Sequence, residues 1–93
     1  MRLLDKEVST IKQKVKLVFG KSEIYLFGSR MDDVKSGGDI DLYIVPDITN
    51  DLFQKKIKIK TMLEDSLYKP VDIIIAKDKN RLIEKEALKG IIL

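Results

Sequence analysis

With 93 residues, 44% of them hydrophobic and 35% charged, the chain has material for one modest core and the profile of an ordinary soluble domain spanning residues 1–93. It contains no cysteine and no histidine, which excludes disulfides, thiolate nucleophiles, zinc–cysteine sites, the usual general base and any Ser–His triad. Its net charge of +3, from 18 basic and 15 acidic residues well mixed along the chain, is too balanced to argue for direct nucleic-acid binding. Any catalysis must therefore rest on carboxylates, amines, hydroxyls, backbone amides and hard cations. No long apolar run and no signal-like start argues for export or membrane insertion, so a cytoplasmic location is expected.

The chain opens with a helical pattern. Leu4, Val8, Ile11, Val15 and Val18 recur at intervals of four and three and form one stripe. Asp5 and Glu7 come early and Lys12, Lys14 and Lys16 late, as the helix dipole favours. Gly20 is placed to cap the C-terminus. The stripe is expected to cover one face of a sheet, and the lysines to form a solvated face.

Ile24-Tyr25-Leu26-Phe27 is a short apolar run suited to a mostly buried strand. Gly28 stops it, and Ser29-Arg30-Met31-Asp32 matches a helix-start signal. A strand ending in Gly-Ser at a helix N-terminus leaves backbone N–H groups pointing one way, a plausible seat for phosphate. Gly37-Gly38 then turns the chain into a second strand, Asp39-Ile40-Asp41-Leu42-Tyr43-Ile44-Val45.

Alternation along that strand sends Asp39 and Asp41 one way and Ile40, Leu42 and Ile44 the other. Two carboxylates one strand-step apart repel each other, and Asp is a poor strand former. A divalent cation with a preference for oxygen ligands, most naturally magnesium, would hold such a pair at neutral pH. The plainer reading makes Asp39 a turn residue and Asp41 a solvent-facing residue on an edge. The Gly-Ser turn after the preceding strand favours the cation.

Pro46 ends the strand, and a second helix is expected over Asn50 to Leu67, capped by Asp47, Thr49 or Asn50. Phe53, Ile57, Leu63 and Leu67 would face inward, with Leu52, Ile59 and Met62 widening the apolar face. Lys55, Lys56, Lys58 and Lys60 occupy the rest, most simply as surface lysines. Lys69-Pro70 breaks the helix, and Val71-Asp72-Ile73-Ile74-Ile75-Ala76 has the β-branched character of a third strand. Asp72 is its one oddity: either a strand-end residue tied to a turn or lysine, or a third carboxylate beside Asp39 and Asp41. A strand–helix–strand connection of this length commonly makes the two strands neighbours. In the tail, Asp78 or Asn80 would cap a third helix with Leu82, Ile83 and Ala87 inward and Gly90 at its end. Ile91-Ile92-Leu93 then either packs back on the domain or forms an interface, which leaves self-association open.

These residues together resemble a known family. Phe27-Gly28-Ser29-Arg30, followed after a short loop by Gly37-Gly38-Asp39-Ile40-Asp41-Leu42 and later by Pro70-Val71-Asp72-Ile73-Ile74, is similar to the nucleotidyltransferase superfamily whose core resembles DNA polymerase β. More narrowly, the chain resembles the minimal nucleotidyltransferases, and its ending, from Ile83-Glu84-Lys85-Glu86-Ala87 to Gly90-Ile91-Ile92-Leu93, extends the likeness over nearly the whole chain.

The resemblance implies an α/β (α+β) domain with a small mixed sheet and helices packed on one face. It implies that Asp39, Asp41 and Asp72 bind two magnesium ions, with Asp72 also orienting or deprotonating the attacking hydroxyl. Gly28, Ser29 and Arg30 would bind the nucleotide, Gly28 and Ser29 seating its β and γ phosphates. The reaction implied moves a nucleoside monophosphate, usually AMP from ATP, onto an acceptor hydroxyl. Relatives of this size are commonly encoded beside a small HEPN-type protein, which implies an antitoxin acting on a tyrosine of that partner. A palm of this length with no lid also leads one to expect that a partner completes the site. One departure stands out: many such antitoxins read Ala-Arg-Gly where this chain has Met31-Asp32-Asp33. A non-catalytic module that neutralises its partner by covering it is the rival reading.

Overall fold

Alternation along β-strands sends one set of side chains into an apolar core and leaves the other face of the sheet mixed in character. In a computed structural model, which describes residues 4–27, 40–78 and 80–93, the elements follow in the order α1 (Asp5–Phe19), β1 (Ser22–Phe27), β2 (Ile40–Pro46), α2 (Leu52–Leu67), β3 (Val71–Ile75), α3 (Leu82–Leu88) and β4 (Ile91–Ile92). The sheet order is β3-β2-β1-β4. β1 runs antiparallel to β2 and β4, whereas β2 and β3 are parallel, joined by α2 as the crossover. The architecture is α+β with a mixed sheet, as expected. Among the described residues no helix is long and apolar enough to cross a membrane.

The dry side is continuous. Ile24 and Leu26 of β1, Ile40, Leu42 and Ile44 of β2, and Val71, Ile73 and Ile75 of β3 alternate inward and meet Ile11, Val15 and Phe19 of α1 and Ile59, Leu63 and Leu67 of α2. Each such buried aliphatic side chain contributes about 1.5–3 kcal/mol relative to exposure. The α1 stripe is inward from Val8 to Phe19, but Leu4 precedes the helix and is exposed. Gly20 ends α1 at φ 77°, a left-handed conformation that favours glycine, and its N–H donates to the Lys16 carbonyl at 2.9 Å.

Three details depart from the periodicity. The inner stripe of α2 is Leu52, Ile59, Leu63 and Leu67, whereas Phe53 and Ile57 are 75% and 51% exposed. Both lie a third of a turn round the helix from the stripe that the sheet covers. None of the expected capping side chains acts on α2: its N-cap is Asp51, in the left-handed region, and no side chain bonds the first turn. In α3 the inward residues are Glu84 and Ala87, whereas Leu82 and Ile83 are exposed, and the N-cap is Arg81. Asp78 accepts instead from the Asn80 N–H and shapes the turn before it.

Glu84 is the reason for the last change. α3 departs from the expectation that the helices pack on one face: it crosses the face opposite α1 and α2, where Tyr43, pointing away from Leu42 and Ile44, donates its hydroxyl to Glu84 Oε1 at 2.8 Å. The same carboxylate accepts the N–H groups of Lys77 and Asp78, and the Arg81 guanidinium lies 3.3 Å from Oε2. A fully buried carboxylate is tolerable only when its lone pairs are so occupied. Burial alone would raise its pKa. The hydrogen bonds from Asp78, Tyr43 and Lys77, with the Arg81 charge, outweigh burial and hold Glu84 below the ordinary glutamate range. Burial and the adjacent Glu84 charge push Tyr43 the other way, so its phenol stays protonated.

After α3 the chain turns at Gly90 and returns as β4, with the Leu93 N–H donating to Ile24 at 2.8 Å and the Leu93 side chain joining the core. The apolar terminus thus packs back on the sheet. A Cβ at Gly90 would run into the backbone of Leu26. Gly90→Ala should therefore lower stability by roughly 1–3 kcal/mol, read as a reduced urea midpoint at unchanged m-value.

Glu84 also predicts a pH dependence. A carboxyl whose folded pKa lies below its unfolded value near about 4.3 adds stability above that value and loses it as pH falls through the folded one. Wild-type stability should drop from roughly pH 5 downward. Glu84→Gln should be less stable at pH 7 by about 1–3 kcal/mol and lose less on acidification, as measured by urea unfolding between pH 3 and pH 7.

Candidate active site

The parallel pairing of β2 with β3 sets Ile40 against Val71, Asp41 against Asp72 and Leu42 against Ile73. Because partnered residues share a face, Asp41 and Asp72 both project away from the core, from strands separated by about 4.8 Å. Phe27 of β1 is the antiparallel partner of Asp41 and completes that row. Backbone bonds clamp both ends of the pairing: Ile40 N–H to the Pro70 carbonyl and Ala76 N–H to the Ile44 carbonyl, each 2.9 Å. The structure thus brings Asp41 and Asp72 together, as expected of neighbouring strands. Asp39, Gly28, Ser29 and Arg30 lie outside the described residues, as do the Ser29–Asp32 helix-start signal, Gly37-Gly38 and Met31-Asp32-Asp33.

One step further along the face, Tyr43 pairs with Tyr25, their ring centroids 5.8 Å apart and tilted by 48°. The Tyr43–Glu84 bond and this aromatic pair brace the face behind the carboxylates. Asp72 itself is well exposed, with the Lys60 ammonium 3.9 Å from its Oδ1. Lys60 reaches down from α2, also donating to the Val71 carbonyl and to Glu64 Oε2 at 3.2 Å. Glu64 Oε2 in turn accepts the Val71 N–H at 2.9 Å. The Val71 N–H and then Lys60 hold the Glu64 carboxyl below its ordinary range. This knot ties the last turns of α2 to the first residue of β3, immediately before Asp72.

By sequence Lys60 is one surface lysine among several. Its i,i+4 spacing to Glu64 is the available signal, but only the fold puts both beside Val71. The Tyr43–Glu84 bond has no local signal, because it spans 41 residues of chain.

Two like charges facing each other across adjacent strands disfavour the sheet, and a cation between them reverses the sign. The pair offers hard oxygen donors on backbone held at both ends, which suits magnesium better than a softer metal. Among the described residues no group of three carboxylates gathers, so two of the three expected ligands are in view and the third, Asp39, falls outside them. Removing the Glu64 acceptor should loosen the start of β3: Glu64→Ala should speed amide exchange at Val71 while leaving the Ile44 and Leu63 amides protected, as read by hydrogen exchange NMR.

A family model described as polymerase beta, nucleotidyltransferase, matches residues 9–93. A search of the curated proteins finds no match.

Proposed function

This chain belongs to the polymerase beta nucleotidyltransferase family, and on that premise we propose that residues 1–93 form one minimal nucleotidyltransferase domain that moves AMP from ATP to a protein hydroxyl. The observation that carries the reading is the register of Asp41 against Asp72 on adjacent parallel strands. Asp39, Asp41 and Asp72 are the proposed ligands of two magnesium ions. When bound, magnesium supplies the positive charge that the entering and leaving oxygens need in an in-line displacement.

The chain's own groups do the rest. The backbone at Gly28 and Ser29, with Arg30, holds the triphosphate, as a Gly-Ser turn after a strand is suited to do. Asp72, solvent-facing on a rigid strand, orients the acceptor hydroxyl and takes its proton. A bond forms between that oxygen and the α-phosphorus, the bond from the α-phosphorus to the bridging oxygen breaks, and pyrophosphate leaves. Lys60, 3.9 Å from Asp72, offsets part of that carboxylate's charge. The proposed acceptor is a tyrosine of a HEPN-type toxin partner, for which this chain is the cytoplasmic antitoxin. The resemblance in Phe27–Arg30 and Gly37–Leu42 supports this reading.

A second reading, neutralisation by binding alone, draws on Met31-Asp32-Asp33, which puts two acidic residues near the proposed phosphate seat. Mass spectrometry separates the two. Incubation with ATP, magnesium and the protein encoded beside this chain should add one or more adenylyl groups to that protein. Asp41→Asn should fold normally and slow the transfer at least about a hundredfold. A fully active Asp41→Asn protein would sink the mechanism, and tight complex formation without any mass gain would favour the binding module.

A further inference from the structure

A second surface, away from the carboxylates, is built to bind. A groove of about 280 Å³ opens where the start of α2, the end of β3 and the segment entering α3 converge. Leu52, Phe53, Ile74, Ile75 and Ile83 make its apolar lining. Phe53 is 75% exposed, and Ile57, one turn further along α2, is 51% exposed. Neighbouring apolar side chains left in water on two elements around one groove mark a contact surface more than scattered surface residues do.

Among the described residues, the charged side chains that line it have one sign: Lys56, Lys77 and Arg81. Arg81 leans on the buried Glu84, but among the described residues the Lys56 and Lys77 ammonium groups make no ion pair. The α2 N-terminus opens at Leu52 beside this groove; no side chain bonds its N–H groups, and its N-cap residue, Asp51, is acidic and partly offsets the dipole. Aliphatic side chains beside the Lys56 and Lys77 ammonium groups suit carboxylates carried on an apolar scaffold. They suit nucleic acid less, since Phe53 is the one aromatic side chain lining the groove and offers no stacking platform.

We propose that this groove docks an acidic amphipathic segment of a partner polypeptide, apolar side chains seated on Phe53, Ile74 and Ile83 and carboxylates set against Lys56 and Lys77. The mode is a helix or short extended segment laid in a groove, with electrostatics setting orientation and on-rate. Ile74 stands two residues beyond Asp72 on the same face of the edge strand, about 7 Å away. A segment docked here and continuing along β3 comes up to the carboxylate row. The docking itself does not depend on the transfer chemistry.

The test uses the full chain, immobilised, against a displayed library of random 16-residue peptides. The expected outcome is enrichment of peptides that combine Asp or Glu with Leu, Ile, Phe or Trp. One such peptide, added to ¹⁵N-labelled protein, should shift amides in 52–57, 74–77 and 81–83. Its affinity should fall at least about tenfold in Lys56→Glu/Lys77→Glu and in Phe53→Ser, and should weaken as salt rises. Asp41→Asn should bind it unchanged, which separates this surface from the transfer reaction. The substituted side chains are exposed, so circular dichroism should report native folding in each variant. The proposal is overturned if enriched peptides lack acidic residues, if they bind the charge-reversed variant equally well, or if shifts appear elsewhere. It is equally overturned if ultracentrifugation shows that the groove is covered by a second copy of the chain, or if a single-stranded oligonucleotide displaces the peptide and binds more tightly.

Discussion

The parallel register of β2 on β3 is the constraint on which the rest of the molecule depends. With Ile40 against Val71, three inward residues of each strand reach the core and Asp41 meets Asp72 on the far face. A slip of β3 by one residue would turn Asp72 into the core and three aliphatic side chains of that strand away from it. Backbone bonds at Pro70 and Ala76 hold the two ends of the pairing, and the Lys60–Glu64–Val71 knot holds the crossover helix to it. The same contacts that satisfy the core therefore set the spacing of the acidic pair.

The far face is not left bare behind that pair. Tyr43, Tyr25 and α3 cover it, and the cost of burying Glu84 is offset by four donors from β2, the β3–α3 segment and α3 itself. Polar burial of this kind is weak evidence for stability but does specify one arrangement. Here it determines which side of α3 faces the sheet, and that choice is what leaves Ile83 and Arg81 at the rim of the groove beside α2. The apolar return of β4, made possible by the close approach of Gly90 to Leu26, closes the other end of the sheet.

Charge is correspondingly divided. Asp41 and Asp72 stand near the N-terminal ends of β2 and β3, while Lys56, Lys77 and Arg81 gather beside the C-terminal end of β3. A nearly balanced composition thus conceals an uneven placement of charge along the sheet. Composition averages over the chain and cannot register such separation.

Much of this could be read from the residues alone. Strict alternation in Ile40–Ile44, the β-branched run at Val71–Ile75 and the 3–4 spacing of α1 determine the element types, because each buries one face with its own period. The missing histidine and the acidic pattern Asp39-Ile40-Asp41, with Asp72 later, narrow the chemistry to carboxylates and hard cations before any fold is known. What periodicity could not settle was which flank of an amphipathic helix meets the sheet. Phe53, Ile57, Leu82 and Ile83 are apolar yet exposed, and Glu84 is charged yet buried, because the sheet covers only part of each helix and the carboxylate finds its donors on other elements. Local sequence therefore determined the strands, the helices and the acidic residues. Only the tertiary structure decided that Asp41 and Asp72 stand face to face, since register and burial arise from contacts between segments some thirty residues apart.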